Sequence, residues 1–266
     1  MSLKTGYLGP EGSYSQIAAR LLAQGEYLPY PSFYALVGAL QENSVDGIVL
    51  PVENSLNGGV MQNLDLLQDA EGITAVREVN VRIDHRLVTL KGADLDGITA
   101  VYSHAQALGQ CAKFLHTNLP QAKLIPTQST SACLKKIKTF ADAGIIGAQE
   151  VDERFALSPE CISDEPLNYT QFLYVVKGSP DMSRHTKKMF LSITCAHKPG
   201  SLMAALSVFA DGGMNLTKIE SRPIKDRVGE YRFFIEAEAD CALPHTRSAL
   251  NSLGNMCSSV KILGCY

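Results

Sequence analysis

At 266 residues the chain exceeds one typical domain of about 100–150 residues, so two domains are expected. A 45% hydrophobic and 19% charged composition excludes a disordered chain. The balance of 24 basic against 27 acidic residues, net charge −3, excludes the concentrated positive field that nucleic acid or a membrane surface would require. The 7 cysteines are scattered, with no CxxC pair and no histidine at structural-zinc spacing. They read as reduced core thiols with no metal, in a cytoplasmic protein. The N-terminus lacks the apolar run of a signal peptide, and no stretch approaches the roughly 18 apolar residues of a membrane span.

In chain order, Tyr7-Leu8 leads through a Gly-Pro-Glu-Gly turn to Ser13, with Gln16 three residues on, the pattern of a capping box. The helix that follows is predicted to place Ile17, Leu21 and Leu22 on one face, and Phe33, Leu36, Val37 and Leu40 mark a second helix. Residues 47–51 form a short buried strand. Further strands are predicted at 73–76, 98–102, 124–125, 144–146 and 172–176, with helices between most of them. That alternation implies α/β architecture with largely parallel sheets. Residues 178–187 are polar and aperiodic and supply a linker, placed at 179–187. Beyond it, a strand at 189–195, a helix through Leu202 and Phe209, strands at 216–221 and 231–237, a helix at 244–254 and a closing strand at 260–265 give the βαββαβ order of a ferredoxin-like domain.

Four polar clusters lie at strand ends, where open α/β sheets bind ligands. Residues 9–15 hold Ser13 at a helix start, where unpaired N–H groups accept an anion, although a plain cap explains it equally. Residues 51–59 gather Glu53, Asn54 and Ser55 into a loop ending in two glycines. At 103–111, Ser103 reads as an N-cap, and Gln106 and Gln110, four residues apart, share one helical face. Hydroxyl, amides and a positive helix end suit a carboxylate ligand; His104 reads as structural or as a base. Residues 168–172 bring Thr170 to the entry of a strand, where its hydroxyl can donate to a leaving oxygen or simply begin the strand.

The order of Tyr7–Ser15, Pro51–Val60 and Ser103–Cys111, followed by Lys198–Leu202 and Asn215–Pro223, resembles the prephenate dehydratase family in the form with a C-terminal ACT domain. The resemblance implies a catalytic region at 1–178 with a two-lobed, periplasmic-binding-protein-like fold. One lobe would span about 1–80 and 163–178 and the other about 81–162, with a ferredoxin-like ACT domain at 188–266. No chorismate mutase region precedes the catalytic region, which fits a monofunctional form. The implied reaction is the cofactor-free conversion of prephenate to phenylpyruvate, with L-phenylalanine as feedback inhibitor and pairing of ACT domains into a homodimer or homotetramer. Thr170 is implied as proton donor or orienter, with Glu53, Asn54, Ser103 and Gln110 acting on the substrate beside it. Ser13, Ser55, Gln106, Gln171 and Phe172 are implied as substrate contacts, and Gly200, Ser201, Leu202, Asn215, Leu216, Glu220 and Ser221 as the phenylalanine site. One departure matters: the family usually has Thr-Arg-Phe where this chain has Thr170-Gln171-Phe172. Loss of a charge-assisted hydrogen bond is worth roughly 1.5–3 kcal/mol, or about 10- to 150-fold. The alternatives are arogenate as substrate, or a non-catalytic ligand sensor.

Overall fold

In a computed structural model the chain is described at residues 2–127, 133, 142–147, 153–225, 227 and 229–266. The first lobe comprises β1 (Lys4–Leu8), α1 (Tyr14–Leu22), β2 (Glu26–Tyr30), α2 (Phe33–Gln41), β3 (Gly47–Asn54), β4 (Gly58–Gly59), α3 (Met61–Asp69) and β5 (Ile73–Arg82). The second contains β6 (Arg86–Leu90), β7 (Ala100–Ser103), α4 (Ala105–Gln110), α5 (Ala112–Asn118), β8 (Lys123–Pro126), β9 (Ala143–Gly147) and β10 (Phe155–Leu157). The chain then returns to the first lobe as β11 (Tyr169–Lys177). It continues through β12 (Lys188–Cys195), α6 (Ser201–Asp211), β13 (Leu216–Pro223), β14 (Tyr231–Glu238), α7 (Pro244–Met256) and β15 (Cys257–Cys265).

The sequence pattern leaves out β4, β6 and β10, and three further differences have a physical reason. β11 runs antiparallel between β3 and β5, so the sheet is mixed rather than largely parallel. The edge strand β2 was not predicted because it carries Pro29 and no buried residue, and edges tolerate both. In α1 the buried stripe is Ala18, Ala19 and Leu22, while Leu21 is exposed, because small alanines allow the helix to lie close on the sheet. Ser13 does cap α1, its Oγ accepting from the Gln16 N–H at 3.3 Å, and Gln16 Oε1 accepts from the Gly12 N–H at 2.8 Å.

One sheet, in the order β13-β14-β12-β15-β5-β11-β3-β1-β2, runs from the C-terminal ferredoxin-like unit through the first lobe; the second lobe has its own, in the order β10-β6-β9-β7-β8. The junction is the contact of Gly264 on β15 with Ala75 on β5. A Cβ on Gly264 would stand 2.7 Å from the Ala75 carbonyl oxygen, so only glycine permits this approach. β12 is buried at every position from Met189 to Cys195, because both faces of the C-terminal sheet are covered. Met189, Leu191 and Ile193 pack with Ala205 and Phe209 of α6, whereas Phe190, Phe234 and Leu263 join Leu36, Leu50 and Leu173 in the core of the first lobe.

Between those two bodies lies a polar network. Lys218 Nζ meets Glu53 at 2.7 Å, and Lys188 Nζ meets Glu78 at 2.9 Å and Glu236 at 3.0 Å. Burial opposes ionisation of Glu236, but donors from Thr217, Tyr266, Gln171 and Lys188 outweigh it and hold its carboxyl at about 2. Because the folded value lies below the ordinary 4.5, the stabilisation is present above that value and is lost as pH falls from 4.5 towards about 2. It amounts to about 3 kcal/mol. Glu236→Gln should therefore be less stable than wild type at neutral pH and should lose less melting temperature between about pH 6 and pH 3. Parallel pH profiles of the two proteins in thermal denaturation would contradict this.

Candidate active site

The lobes are joined by two crossings, residues 83–85 and 158–168, which are stitched together. The Ile83 N–H donates to the Asn168 carbonyl at 2.7 Å, and the Ile162 N–H to the His85 carbonyl at 2.8 Å. Tyr14 Oη of α1 donates to the Asp84 carbonyl at 2.6 Å, and the Asp164 N–H to the Gln110 carbonyl at 2.7 Å. The strand ends of both lobes thus converge on this hinge.

A chain of side-chain hydrogen bonds crosses it, and backbone donors fix its polarity. The N–H groups of Leu56 and Asn57, both at 3.2 Å, identify Asn54 Oδ1 as an acceptor, and Asn57 Nδ2 adds a third bond at 2.7 Å. Asn54 Nδ2 is then the donor, to Asn168 Oδ1 at 2.7 Å and on its other hydrogen to the Tyr169 carbonyl and Thr170 Oγ1, both at 3.1 Å. Asn168, which is 1% exposed, uses Nδ2 to donate to Gln110 Oε1 at 3.3 Å. Two atoms are left facing outward from this chain. Thr170 Oγ1 accepts from Asn54, which leaves its hydroxyl hydrogen to be given away. Gln110 Nε2 is buried and has no hydrogen-bond partner among the described residues; a buried donor without an acceptor is costly and marks a place for one.

The remaining expected residues divide by face. Alternation along β11 sends Thr170 and Gln171 to opposite sides of the sheet. Gln171, 7% exposed, does not join Thr170. Its Nε2 donates to Glu78 at 2.7 Å and Glu236 at 2.8 Å, and its Oε1 accepts from Lys218 at 2.5 Å. Glu53, paired with Gln171 across the strands, likewise meets Lys218 rather than the chain at Asn54. Phe172 is 2% exposed and packs with Tyr7, Val49 and Val81, so it is core rather than a contact surface. Ser55 holds the start of β11, accepting from the Tyr169 N–H at 3.0 Å and donating to the Leu167 carbonyl at 3.3 Å. Ser13 Oγ donates to the Leu8 carbonyl at 3.1 Å.

Ser103 is not an N-cap. It ends β7, fully buried, and its hydroxyl donates to the Ile146 carbonyl at 2.9 Å. The cap is His104, whose Nδ1 accepts from the Gln106 N–H at 3.3 Å. The expected helix breaks at Cys111 into α4 and α5, Gln106 is exposed, and Gln110 alone reaches the hinge. Two residues in the chain escape sequence reasoning: Asn168 opens the 168–172 segment with no role assigned to it, and His85 lies in a segment with no distinguishing pattern.

In the C-terminal unit, a cavity of about 410 Å³ is lined by Cys195, His197, Ser201, Leu202, Tyr231 and Phe233 among others. Gly200 opens α6 beside it with φ of 83°, and Ser201 Oγ is buried without a partner among the described residues. The other expected effector residues lie outside its lining. Asn215 Nδ2 donates to Glu238 at 3.0 Å, Leu216 is half-buried and Ser221 is exposed on β13. Glu220 points at the loop of residues 51–59, accepting from the Gly59 N–H at 3.2 Å.

The family model described as prephenate dehydratase matches residues 5–180, and that of the ACT domain residues 189–255. This chain belongs to the prephenate dehydratase family. It is an enzyme of that type, with two catalytic lobes and a C-terminal ACT domain. A bifunctional chorismate mutase/prephenate dehydratase of Neisseria gonorrhoeae is 33% identical over 270 residues, covering 99% of this chain and 74% of that protein. The prephenate dehydratase of Arthrobacter aurescens, solved with L-Phe, superposes with a TM-score of 0.89 at 27% identity, over 99% of this chain and 90% of the other. That of Staphylococcus aureus subsp. aureus Mu50 gives 0.84 at 27% identity, over 99% and 100%.

Removing one link should expose the cost of the dehydratase's buried amide chain. Asn168→Ala leaves an Asn54 hydrogen and Gln110 Oε1 each short of a partner, for about 1–3 kcal/mol in chemical denaturation. Ser221→Ala on the exposed face of β13 should stay within about 0.5 kcal/mol. Equal effects would contradict the chain as drawn.

Proposed function

We propose that the protein converts prephenate to phenylpyruvate, carbon dioxide and water, and that L-phenylalanine inhibits it through the ACT domain. The reading rests on one observation above others: Asn54 donates to Thr170 Oγ1 at 3.1 Å, which occupies a lone pair of the threonine oxygen and leaves its O–H to donate. Prephenate loses its ring carboxylate as carbon dioxide. The electron pair left behind enters the ring, the ring becomes aromatic, and the ring C–O bond breaks. The departing hydroxyl takes up a proton and leaves as water. A donor at that oxygen stabilises the charge that grows on it only as the bond breaks, so it acts on the rate more than on binding. The amide hydrogen bond from Asn54 polarises the Thr170 O–H and strengthens it as a donor. Gln110 Nε2, buried and without a hydrogen-bond partner among the described residues, is assigned to a substrate oxygen, and Asn168 holds the two halves of the site in register.

On the regulatory side, Ser201 and Leu202 line the ACT cavity, and the N–H groups at the start of α6 suit the carboxylate of an amino acid. Leu216 and Ser221 of β13, which do not line it, are assigned to a second copy's share of the effector site in a homodimer or homotetramer, whereas Glu220 is engaged by the Gly59 N–H. The network of Lys188, Lys218, Glu236 and Gln171 offers the physical route between sites, because it bonds ACT strands directly to β5, β3 and β11.

Incubation with prephenate should yield phenylpyruvate, and millimolar L-phenylalanine should suppress the rate. Thr170→Ala should lower kcat by about 100- to 1,000-fold with little change in melting temperature. Absence of product from wild type would overturn the function, and near-normal turnover of the variant would remove Thr170 from its role.

A further inference from the structure

His85 belongs to no motif, yet it stands at the end of the amide chain. It lies in the first hinge crossing, is 8% exposed, and places Nε2 at 2.8 Å from Gln110 Oε1. An imidazole nitrogen at that distance can either give or accept, and the rest of the chain decides which. Gln110 Oε1 is already the acceptor from Asn168 Nδ2, whose partner Oδ1 accepts from Asn54 Nδ2, whose own Oδ1 is fixed by the Leu56 and Asn57 N–H groups. A carbonyl oxygen cannot donate, so His85 Nε2 carries the hydrogen. Two donors then converge on Gln110 Oε1 and prevent its amide from turning over. With the amide locked, Nε2 is held as a buried donor that finds no hydrogen-bond acceptor among the described residues.

We propose that His85 is a positioning residue: as the Nε2–H tautomer it clamps Gln110 Oε1 and thereby presents Gln110 Nε2 as a hydrogen-bond donor to the substrate. The assignment rests on the dehydratase reading for the identity of that substrate, and on geometry alone for the clamp. Without the clamp, Gln110 can rotate by half a turn about its last torsion and offer an oxygen where the substrate presents one, a repulsive contact in place of a bond. Burial pushes the imidazole pKa down, against the opposing effects of the Gln110 hydrogen bond and the Asp84 charge. The ring is therefore neutral at pH 7, and the tautomer matters. Its backbone carbonyl is bound to the second crossing through Ile162, so the clamp is held by both strands of the hinge.

Three variants and one spectrum test this. His85→Leu keeps the volume and removes the donor; kcat/KM for prephenate should fall by about tenfold or more, at a melting temperature close to wild type. His85→Gln places an amide nitrogen near the lost Nε2 and should restore most of the loss. In a Gln110→Ala background, His85→Leu should have almost no further effect, because the clamp has nothing left to hold. Equal losses in both backgrounds, or full activity of His85→Leu, would overturn the proposal. The long-range 1H–15N spectrum of the resting wild-type protein at neutral pH should show His85 protonated on Nε2; protonation on Nδ1 would overturn it whether or not prephenate is turned over. If wild type makes no phenylpyruvate while the Nε2–H tautomer is present, the function fails and the clamp stands.

Discussion

Two neighbours on an extended strand cannot face the same way, and the organisation of this protein follows from that constraint at positions 170 and 171. β11 lies between β3 and β5 in the middle of the first lobe, and its first residues emerge from the hinge. Thr170 turns to Asn54 and the amide chain, and Gln171 turns to the buried carboxylates beneath the ACT sheet. One strand therefore carries the candidate chemistry on one face and the contact with the regulatory domain on the other.

The glutamine at 171 has a physical logic in this setting. Its surroundings hold three carboxylates, Glu53, Glu78 and Glu236, and two ammonium groups, Lys188 and Lys218. A guanidinium would add a balancing charge but has no acceptor to offer Lys218, which it would repel. Glutamine donates to two carboxylates and accepts from the ammonium with one planar amide. The cations sit on β12 and β13 of the ACT domain and meet these carboxylates on the face of β11 opposite Thr170, so the side chain at 171 works between the domains rather than in the amide chain. The loss of affinity or rate expected from an uncompensated substitution does not follow from this geometry.

Much of the architecture was legible in the sequence because periodicity and turn chemistry carry it. The βαββαβ order beyond residue 187, the cap at Ser13 and the strand at Phe172 all report local preferences. What was not legible depends on contacts distant along the chain. Ser103 reads as a cap from its neighbours, yet β7 runs one residue longer and its hydroxyl is used by Ile146, 43 residues away. Glu53 sits in a loop rich in functional residue types, but its partner is Lys218 on another domain. His85 shows nothing in its own segment, and its meaning lies in Gln110, 25 residues on, and in the direction that backbone N–H groups near residue 56 impose on a whole chain of amides. Residue type indicates what an atom can do; only the fold indicates which atom is left to do it.

The division of labour across β11 is tested most directly by steady-state kinetics of Gln171→Ala and wild type on prephenate, each titrated with L-phenylalanine. The account predicts a kcat within about threefold of wild type and a half-inhibiting phenylalanine concentration moved by about fivefold or more, since the substitution cuts the contact between domains and spares the chain at Thr170. A collapse of kcat with an unchanged phenylalanine response would place Gln171 at the substrate and contradict it.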